Sequence, residues 1–247
     1  MRSSEMRIFL SIIIPAYNEG KRLRGTLADI HSKLSHSDFT YEILVVNDGS
    51  TDNTIATIHT ALPITKGLRL VNDGIHRGKG GTVRQGMLTA KGQYRIFMDA
   101  DNSTSIDQFA KMISFMENGY DIVIGSRALK ESVLAPAESW YRQIAGKAGN
   151  LIIQILVLPG IWDTQCGFKA FTARAAQEIF SSSTVDGWAF DVEILAIAKK
   201  RGYKIKEVPV RWINSSFSHV RAGTYFTFLW DVLKIHHRFF NKHYYFL

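Results

Sequence analysis

Short apolar runs separated by polar, glycine-containing loops recur along the chain. Ile8–Ile14 is a near-continuous apolar run closed by Pro15, as expected of a central parallel strand, and a helix is predicted from about Gly20 to Leu34. Tyr41–Val46 repeats the run. Asp48 and Gly49 then read as a tight turn, and Asp52 or a neighbouring Ser/Thr as the cap of the next helix. Leu68–Val71, Ile96–Met98 and Asp121–Gly125 read as further strands. Between them lie a helix ending near Lys91-Gly92 and an amphipathic helix over Ile106–Asn118. Strand and helix alternating in this way predict an α/β fold: a mostly parallel central sheet with helices on both faces.

The second half is less regular. Ser139–Leu158 reads as one helix with a polar stripe (Gln143, Lys147, Asn150, Gln154) and an apolar face (Ile144, Ala148, Leu151, Ile152, Ile155), suited either to the core or to a membrane interface. In DTQCGFKAF, Asp163 and Gln165 flank a tight turn at Gly167 that Phe168 and Phe171 anchor, and Thr172 caps a short helix. A helix over Phe190–Arg201, a stop at Gly202 and one strand over Tyr203–Trp212 follow. Residues 6–222 thus form one domain. Residues 223–247 form an aromatic-rich amphipathic helix with Thr227, Asp231, Lys234, Arg238 and Asn241 as its polar stripe, fitted to a membrane surface or a dimer contact.

Composition narrows the function. A length of 247 residues suits one large α/β domain, and the net charge of +8 points to an anionic partner. The cations sit in separate loops and do not form one basic track, which argues against a nucleic-acid binder. The single Cys166 excludes an internal disulfide. No run reaches the roughly 18–20 apolar residues that span a bilayer. The first apolar run meets Pro15 too soon to be a signal peptide.

The candidate chemistry gathers where the predicted strands end. Asp99 and Asp101, one residue apart after Ile96–Met98, would face the crevice at the C-terminal edge of a parallel sheet. There carboxylates suit a hard divalent ion shared with substrate phosphates. Tyr17 could stack on a base while Glu19 accepts from a ribose hydroxyl; the plainer reading is that Asn18 and Glu19 cap the first helix. Asp48 stands at the end of the second strand, where an aspartate commonly binds a ribose hydroxyl, although PAYNEG lacks the Gly-x-Gly-x-x-Gly fingerprint. Arg77, Lys79 and Arg84 alternate with glycines ahead of a helix, an arrangement suited to phosphate but without Walker spacing. Arg127 leaves the end of a strand, placed for a phosphate. Asp191 and Glu193 either complement a helix dipole or, for Asp191, supply an acid to the crevice. Arg211, His219 and Arg221 form a basic loop with several serines.

Taken in order, PAYNE, VVNDGSTDNT, RGKGGTVRQGM, MDAD, DIVIGSR and DTQCGFKAF resemble the family 2 glycosyltransferases of the GT-A fold, over Ile8 to about Arg221. Within that family RGKGGTVRQGM and DTQCGFK are most similar to the dolichyl-phosphate β-glucosyltransferases, with the mannose synthases next. The resemblance implies inverting transfer of a hexose, with UDP-glucose as the preferred donor and GDP-mannose as the alternative, to a polyprenyl or dolichyl phosphate at the cytoplasmic face of a membrane. A family member with a sugar hydroxyl acceptor is the other alternative. By match to the family's motifs, Pro15, Ala16, Tyr17, Glu19 and Asp48 would hold the nucleoside, and Lys79 would sit near the donor. Asp99 would contact nucleotide and sugar, and Asp101, with Asp99 beside it, would hold Mg²⁺ or Mn²⁺. Ser103 stands where the mannose synthases often carry a Gln, which leaves the third protein ligand open. Arg127 and Arg142 would take the acceptor phosphate, and Asp191 falls near the motif that supplies a base to hydroxyl acceptors. Eukaryotic members of the glucosyl branch carry an N-terminal anchor; none is evident in this sequence, so membrane attachment is expected from elsewhere.

Overall fold

The computed structural model describes residues 7–135, 140–213 and 222–240. The apolar runs become strands β1 (Leu10–Ala16), β2 (Tyr41–Asn47), β3 (Leu68–Val71), β4 (Tyr94–Met98) and β5 (Ile122–Ser126). The segments between them become α1 (Gly20–Leu34), α2 (Thr54–Ala61), α3 (Lys79–Thr89) and α4 (Phe109–Glu117), the last entered through a 3-10 turn at Ile106–Gln108. Then come β6 (Val133–Ala135), α5 (Trp140–Leu156), β7 (Phe168–Thr172), α6 (Ala173–Ser182), α7 (Phe190–Lys200), β8 (Ile205–Pro209), β9 (Arg211–Ile213) and α8 (Ala222–Phe240).

The central sheet has seven strands in the order β3-β2-β1-β4-β7-β5-β8, all parallel except β7, which runs antiparallel to both neighbours. Side chains alternate between its two faces, and each face has its own core. Leu10, Ile12 and Ile14 meet Leu23, Leu27 and Ile30 of α1 and Met112 of α4. On the other side Ile13, Leu44, Val46 and Phe97 meet Val83 and Met87 of α3, Phe180 of α6 and Ile194 of α7. The strands' C-terminal ends therefore open into one crevice between two helical layers, and the predicted architecture is observed.

Three local expectations change. Pro15 does not end β1; it pairs in register with Val46. The ladder to β4 stops at Ile13, so the missing N–H of Pro15 falls where β1 has outrun that neighbour. Phe168 and Phe171 do more than anchor a turn at Gly167: Phe168–Thr172 is strand β7. Phe168 and Ala170 face one core and Phe171 the other, while the polar Lys169 and the flanking glycine disguise the alternation. Tyr203–Trp212 is two strands, β8 at the edge of the main sheet and β9 paired with β6 in a second, two-stranded sheet. Pro209 ends β8, an edge position that tolerates a lost donor. As predicted, Thr172 caps α6, its hydroxyl accepting from Ala175 N.

α8 is held by one face. Val232 and Ile235 are wholly buried, and His236 Nδ1 lies 2.6 Å from the Leu156 carbonyl oxygen at the end of α5. Its other face leaves Leu229, Trp230 and Leu233 exposed, and α5 likewise exposes Leu151, Ile152 and Ile155. Among the described residues no helix is long and apolar enough to cross a membrane.

Candidate active site

The acidic loop after β4 is built by close backbone approach. Asp99 N donates to the Gly167 carbonyl at 3.1 Å, and a Cβ on Gly167 would overlap the Asp99 carboxylate. Only glycine at the start of β7 lets that carboxylate stand where it does. The loop then turns through Asn102 at φ 56°, whose side chain donates to Asp29 Oδ2 at 3.0 Å. Asp101 Oδ1 accepts from Ser103 N at 3.0 Å, and Arg22 Nη1 lies 3.9 Å from Asp101 Oδ2. Asp99 Oδ1 pairs with Lys79 Nζ at 2.8 Å.

Lys79 enters from the first residue of α3. Burial works against its charge, but Asp99, Asp191 and Asp101 outweigh this and hold its pKa above the ordinary lysine value. Glu19 shows the opposite balance. Its carboxylate accepts from Arg22 Nε and Nη2, each at 2.6 Å. Burial still raises its pKa, with Asp101 and Asp99 adding to the rise against the pull of Arg22. Glu19, Asp99 and Asp101 thus form one acidic field threaded by Arg22 and Lys79. Among the described residues no group of three or more His, Cys, Asp or Glu side chains is set to hold a metal. Two oxygen donors at a crevice mouth nonetheless fit Mg²⁺ or Mn²⁺, ions that take one or two carboxylates and complete their sphere with phosphates and water.

On the other side of the crevice, Tyr17 is exposed and its ring lies 4.6 Å from that of His76, tilted by 40°. Asp48 is buried, and its carboxylate already has work: Oδ1 accepts from Arg77 N at 2.6 Å and Oδ2 from Gly78 N at 3.1 Å. It fixes the turn that leads into Lys79. Pro15 and Ala16 lie beneath, at the end of β1. His76, with Nδ1 2.9 Å from the Asp48 carbonyl oxygen, was not singled out in the sequence; its place in the basic glycine loop was the available signal.

Arg127, at the end of β5, forks onto Asp163, with Nε to Oδ2 at 2.8 Å and Nη2 to Oδ1 at 3.0 Å, while its backbone N–H donates to Oδ2 at 2.8 Å. Its guanidinium lies 5.6 Å from the Trp212 ring centre. Burial raises the Asp163 pKa, but the Arg127 charge and hydrogen bonds win and hold it below the ordinary value. Asp163, read in the sequence as a turn residue, is therefore what aims Arg127. Arg142 belongs to α5, its side chain outside the described residues, as are His219 and Arg221.

Asp191 is buried and pairs with Lys169 at 2.6 Å, and Lys169, wholly buried, also donates to the Cys166 carbonyl at 2.6 Å. Burial raises the Asp191 pKa against the pull of Lys169 and Lys79. Glu193 turns away, accepting from Thr184 N and Val185 N. Sequence reasoning missed Lys169, because a lysine in an apolar run reads as a surface residue.

Residues 11–180 match the model of Glycosyl transferase family 2. Over 217 residues the chain is 39% identical to a dolichyl-phosphate beta-glucosyltransferase of Dictyostelium discoideum, covering 83% of this chain and 66% of the relative. It is 36% identical over 216 residues to the Homo sapiens protein of the same name, covering 82% and 67%. The chain thus spans about two thirds of the length of these curated relatives. Among solved structures, mannosyl-3-phosphoglycerate synthase from Rubrobacter xylanophilus shares the fold with a TM-score of 0.70 at 18% identity, covering 96% of this chain and 75% of that one. Glucosyl-3-phosphoglycerate synthase from Mycobacterium tuberculosis, crystallised with Mn²⁺, UDP and glucosyl-3-phosphoglycerate, gives a TM-score of 0.66 at 18% identity, covering 92% and 78%. With the family model spanning most of the chain and the crevice built as described, this protein belongs to glycosyltransferase family 2 and has the GT-A fold.

Proposed function

We propose that the protein transfers a hexose, glucose from UDP-glucose, with inversion onto a polyprenyl or dolichyl phosphate. The observation that carries the donor half is the pairing of Asp99 with Lys79 at 2.8 Å, with Asp101 two residues on, at the crevice end of β4. The acceptor half is supported by relatives at 36–39% identity that are named for dolichyl phosphate.

In this reading Tyr17 and His76 flank the base, and Pro15, Ala16, Glu19 and Asp48 shape the nucleoside pocket. Asp101 and Asp99 would hold Mg²⁺ or Mn²⁺, which when bound supplies positive charge to the departing nucleoside diphosphate. Lys79 adds a fixed cation on the same side, where charge develops as the glycosidic bond breaks. The acceptor phosphate is already anionic, so it needs aiming more than deprotonation. Arg127, oriented by Asp163, does the aiming, and Arg142 adds a second cation from α5. Asp191 is engaged by Lys169, which suits a reaction without a protein base.

The exposed apolar residues of α5 and α8, with Lys234 and Arg238 on the same helix as Trp230, support contact with a membrane surface, with 223–247 as the contact element; in this reading the surface is the cytoplasmic face. The test is a transfer assay in detergent with Mg²⁺ or Mn²⁺, using radiolabelled UDP-glucose or GDP-mannose with and without polyprenyl phosphate. Lipid-borne label from UDP-glucose is the expected result. Label from GDP-mannose alone would reassign the donor. No lipid-borne label, with slow hydrolysis of the nucleotide sugar, would overturn the acceptor and turn attention to Asp191, whose raised pKa would suit a base for a sugar hydroxyl.

A further inference from the structure

Trp188 lies on the strap 183–189 that joins α6 to α7, and it is 38% exposed. The strap around it is fixed at several points. Glu193, wholly buried in α7, accepts from Thr184 N at 2.9 Å, from the Thr184 hydroxyl at 2.8 Å and from Val185 N at 2.8 Å. The Asp186 carbonyl accepts from Gly80 N at 2.8 Å and Gly81 N at 3.4 Å, and its carboxylate pairs with Arg84. A Cβ on Gly80 would overlap the Val185 carbonyl oxygen and crowd Phe190, so strap and α3 meet backbone to backbone. The Gly187 carbonyl accepts from Phe190 N at 3.3 Å.

The indole itself is not core. Its ring centre lies 5.0 Å from Lys79 Nζ, and that nitrogen is 2.8 Å from Asp99 Oδ1. A rigidly mounted aromatic ring left partly in water, beside the cation and carboxylate of the crevice, is what a ligand pocket uses for its apolar contact. A pyranose ring offers a matching surface: its hydroxyls point outward around the rim, and its C–H bonds form an apolar face.

We propose that Trp188 is the platform for the transferred sugar, its indole stacking on the C–H face of the hexose while Lys79 and Asp99 meet the polar rim and the diphosphate. This rests on the reading of the crevice as a nucleotide-sugar site. A packing role confined to Lys79 makes a different prediction. Lys79 meets the diphosphate of UDP and UDP-glucose alike, so loss of packing weakens both. Loss of a platform weakens only the ligand that carries a sugar.

The test is calorimetric titration of the 247-residue chain with UDP and with UDP-glucose, each with MnCl₂, for the wild type, Trp188→Leu and Trp188→Phe. The Leu variant should lose roughly tenfold in UDP-glucose affinity, the scale of one aromatic contact, while its UDP affinity stays within about twofold. Retained UDP binding also reports that the variant is folded. Trp188→Phe, which keeps an aromatic face, should recover most of the loss. Equal losses for UDP and UDP-glucose, or no loss for either, would overturn the platform. A wild type that transfers glucose while Trp188→Leu keeps full UDP-glucose affinity overturns the platform and leaves the functional reading standing. A wild type that gains nothing from the glucosyl group and transfers none overturns both.

Discussion

The Lys169–Asp191 pair gives the most exacting prediction. Both groups are buried, and Lys169 Nζ spends its donors on Asp191 Oδ1 and the Cys166 carbonyl, each at 2.6 Å. Lys169→Met keeps the length of the chain and removes the charge. It strands a carboxylate in the core, a loss of about 3–5 kcal/mol for a broken buried pair. At about 4 kcal/mol and roughly 2–4 °C per kcal/mol for a domain of this size, Tm should fall by roughly 8–16 °C. Asp191 can escape part of the penalty by taking a proton, since burial already raises its pKa. That escape has a definite pH dependence. A folded carboxyl with a raised pKa costs nothing below its unfolded value of about 4, and the cost grows as pH rises through the folded value. The variant's deficit against wild type should therefore be small at pH 4.5 and larger at pH 8. Adding Asp191→Asn removes the stranded charge and should return roughly half of the lost stability at pH 8. The assay is urea unfolding followed by circular dichroism at both pH values. A Lys169→Met variant as stable as wild type at pH 8, or a double variant whose losses simply add, would refute the argument.

Asp101→Ala should lower transfer by at least about a hundredfold, the scale for removing a group that organises charge in the transition state, with far-UV circular dichroism unchanged. Asp191→Asn should cost transfer much less than Asp101→Ala; an equal loss would count against a phosphate acceptor. Asp163→Asn should raise KM for the lipid acceptor more than for the nucleotide sugar, because it frees Arg127 from its fork. Since the Asp163 pKa is depressed, the stability it contributes is complete above pH of about 4 and lost as pH falls through its folded value, so the variant and wild type should converge in acid melts. Trp230→Asp together with Leu233→Asp should reduce cosedimentation with anionic liposomes and leave Tm nearly unchanged; undiminished binding would remove α8 from the membrane contact.

Much of the proposed donor half was legible because its strands are largely apolar runs and its candidate residues lie in the loops that follow them. Lys79, twenty residues before the Asp99–Asp101 loop, meets it because the start of α3 and the end of β4 stand at the same edge of the sheet. The acceptor half resisted for a physical reason: its polar groups are satisfied by one another across long sequence distances. Lys169 looked like a surface lysine until Asp191 appeared against it. Asp163 looked like a turn residue until Arg127 was seen to fork onto it. Trp188 carries no periodic signal at all, since a strap has none; the contacts of Glu193, Gly80 and Arg84 that hold the strap are all long-range or local to it.

The position of β7 has a consequence for how the molecule comes into being. β1 to β4 are laid down early in the chain and pair among themselves in parallel. β5, by contrast, has only β7 and β8 for neighbours, and both are synthesised after it. Until Phe168–Thr172 leaves the ribosome, the outer edge of β4 is an open row of backbone donors and acceptors and β5 is a hydrophobic strand with no sheet to join. The Asp99 loop is equally incomplete at that stage, because the Gly167 carbonyl that receives its backbone N–H has not arrived. Nascent chains that end before Gly167 should therefore expose both a nucleotide half already in register and an adhesive strand edge. That makes the interval between β5 and β7 the stretch of synthesis with the most unpaired strand edge.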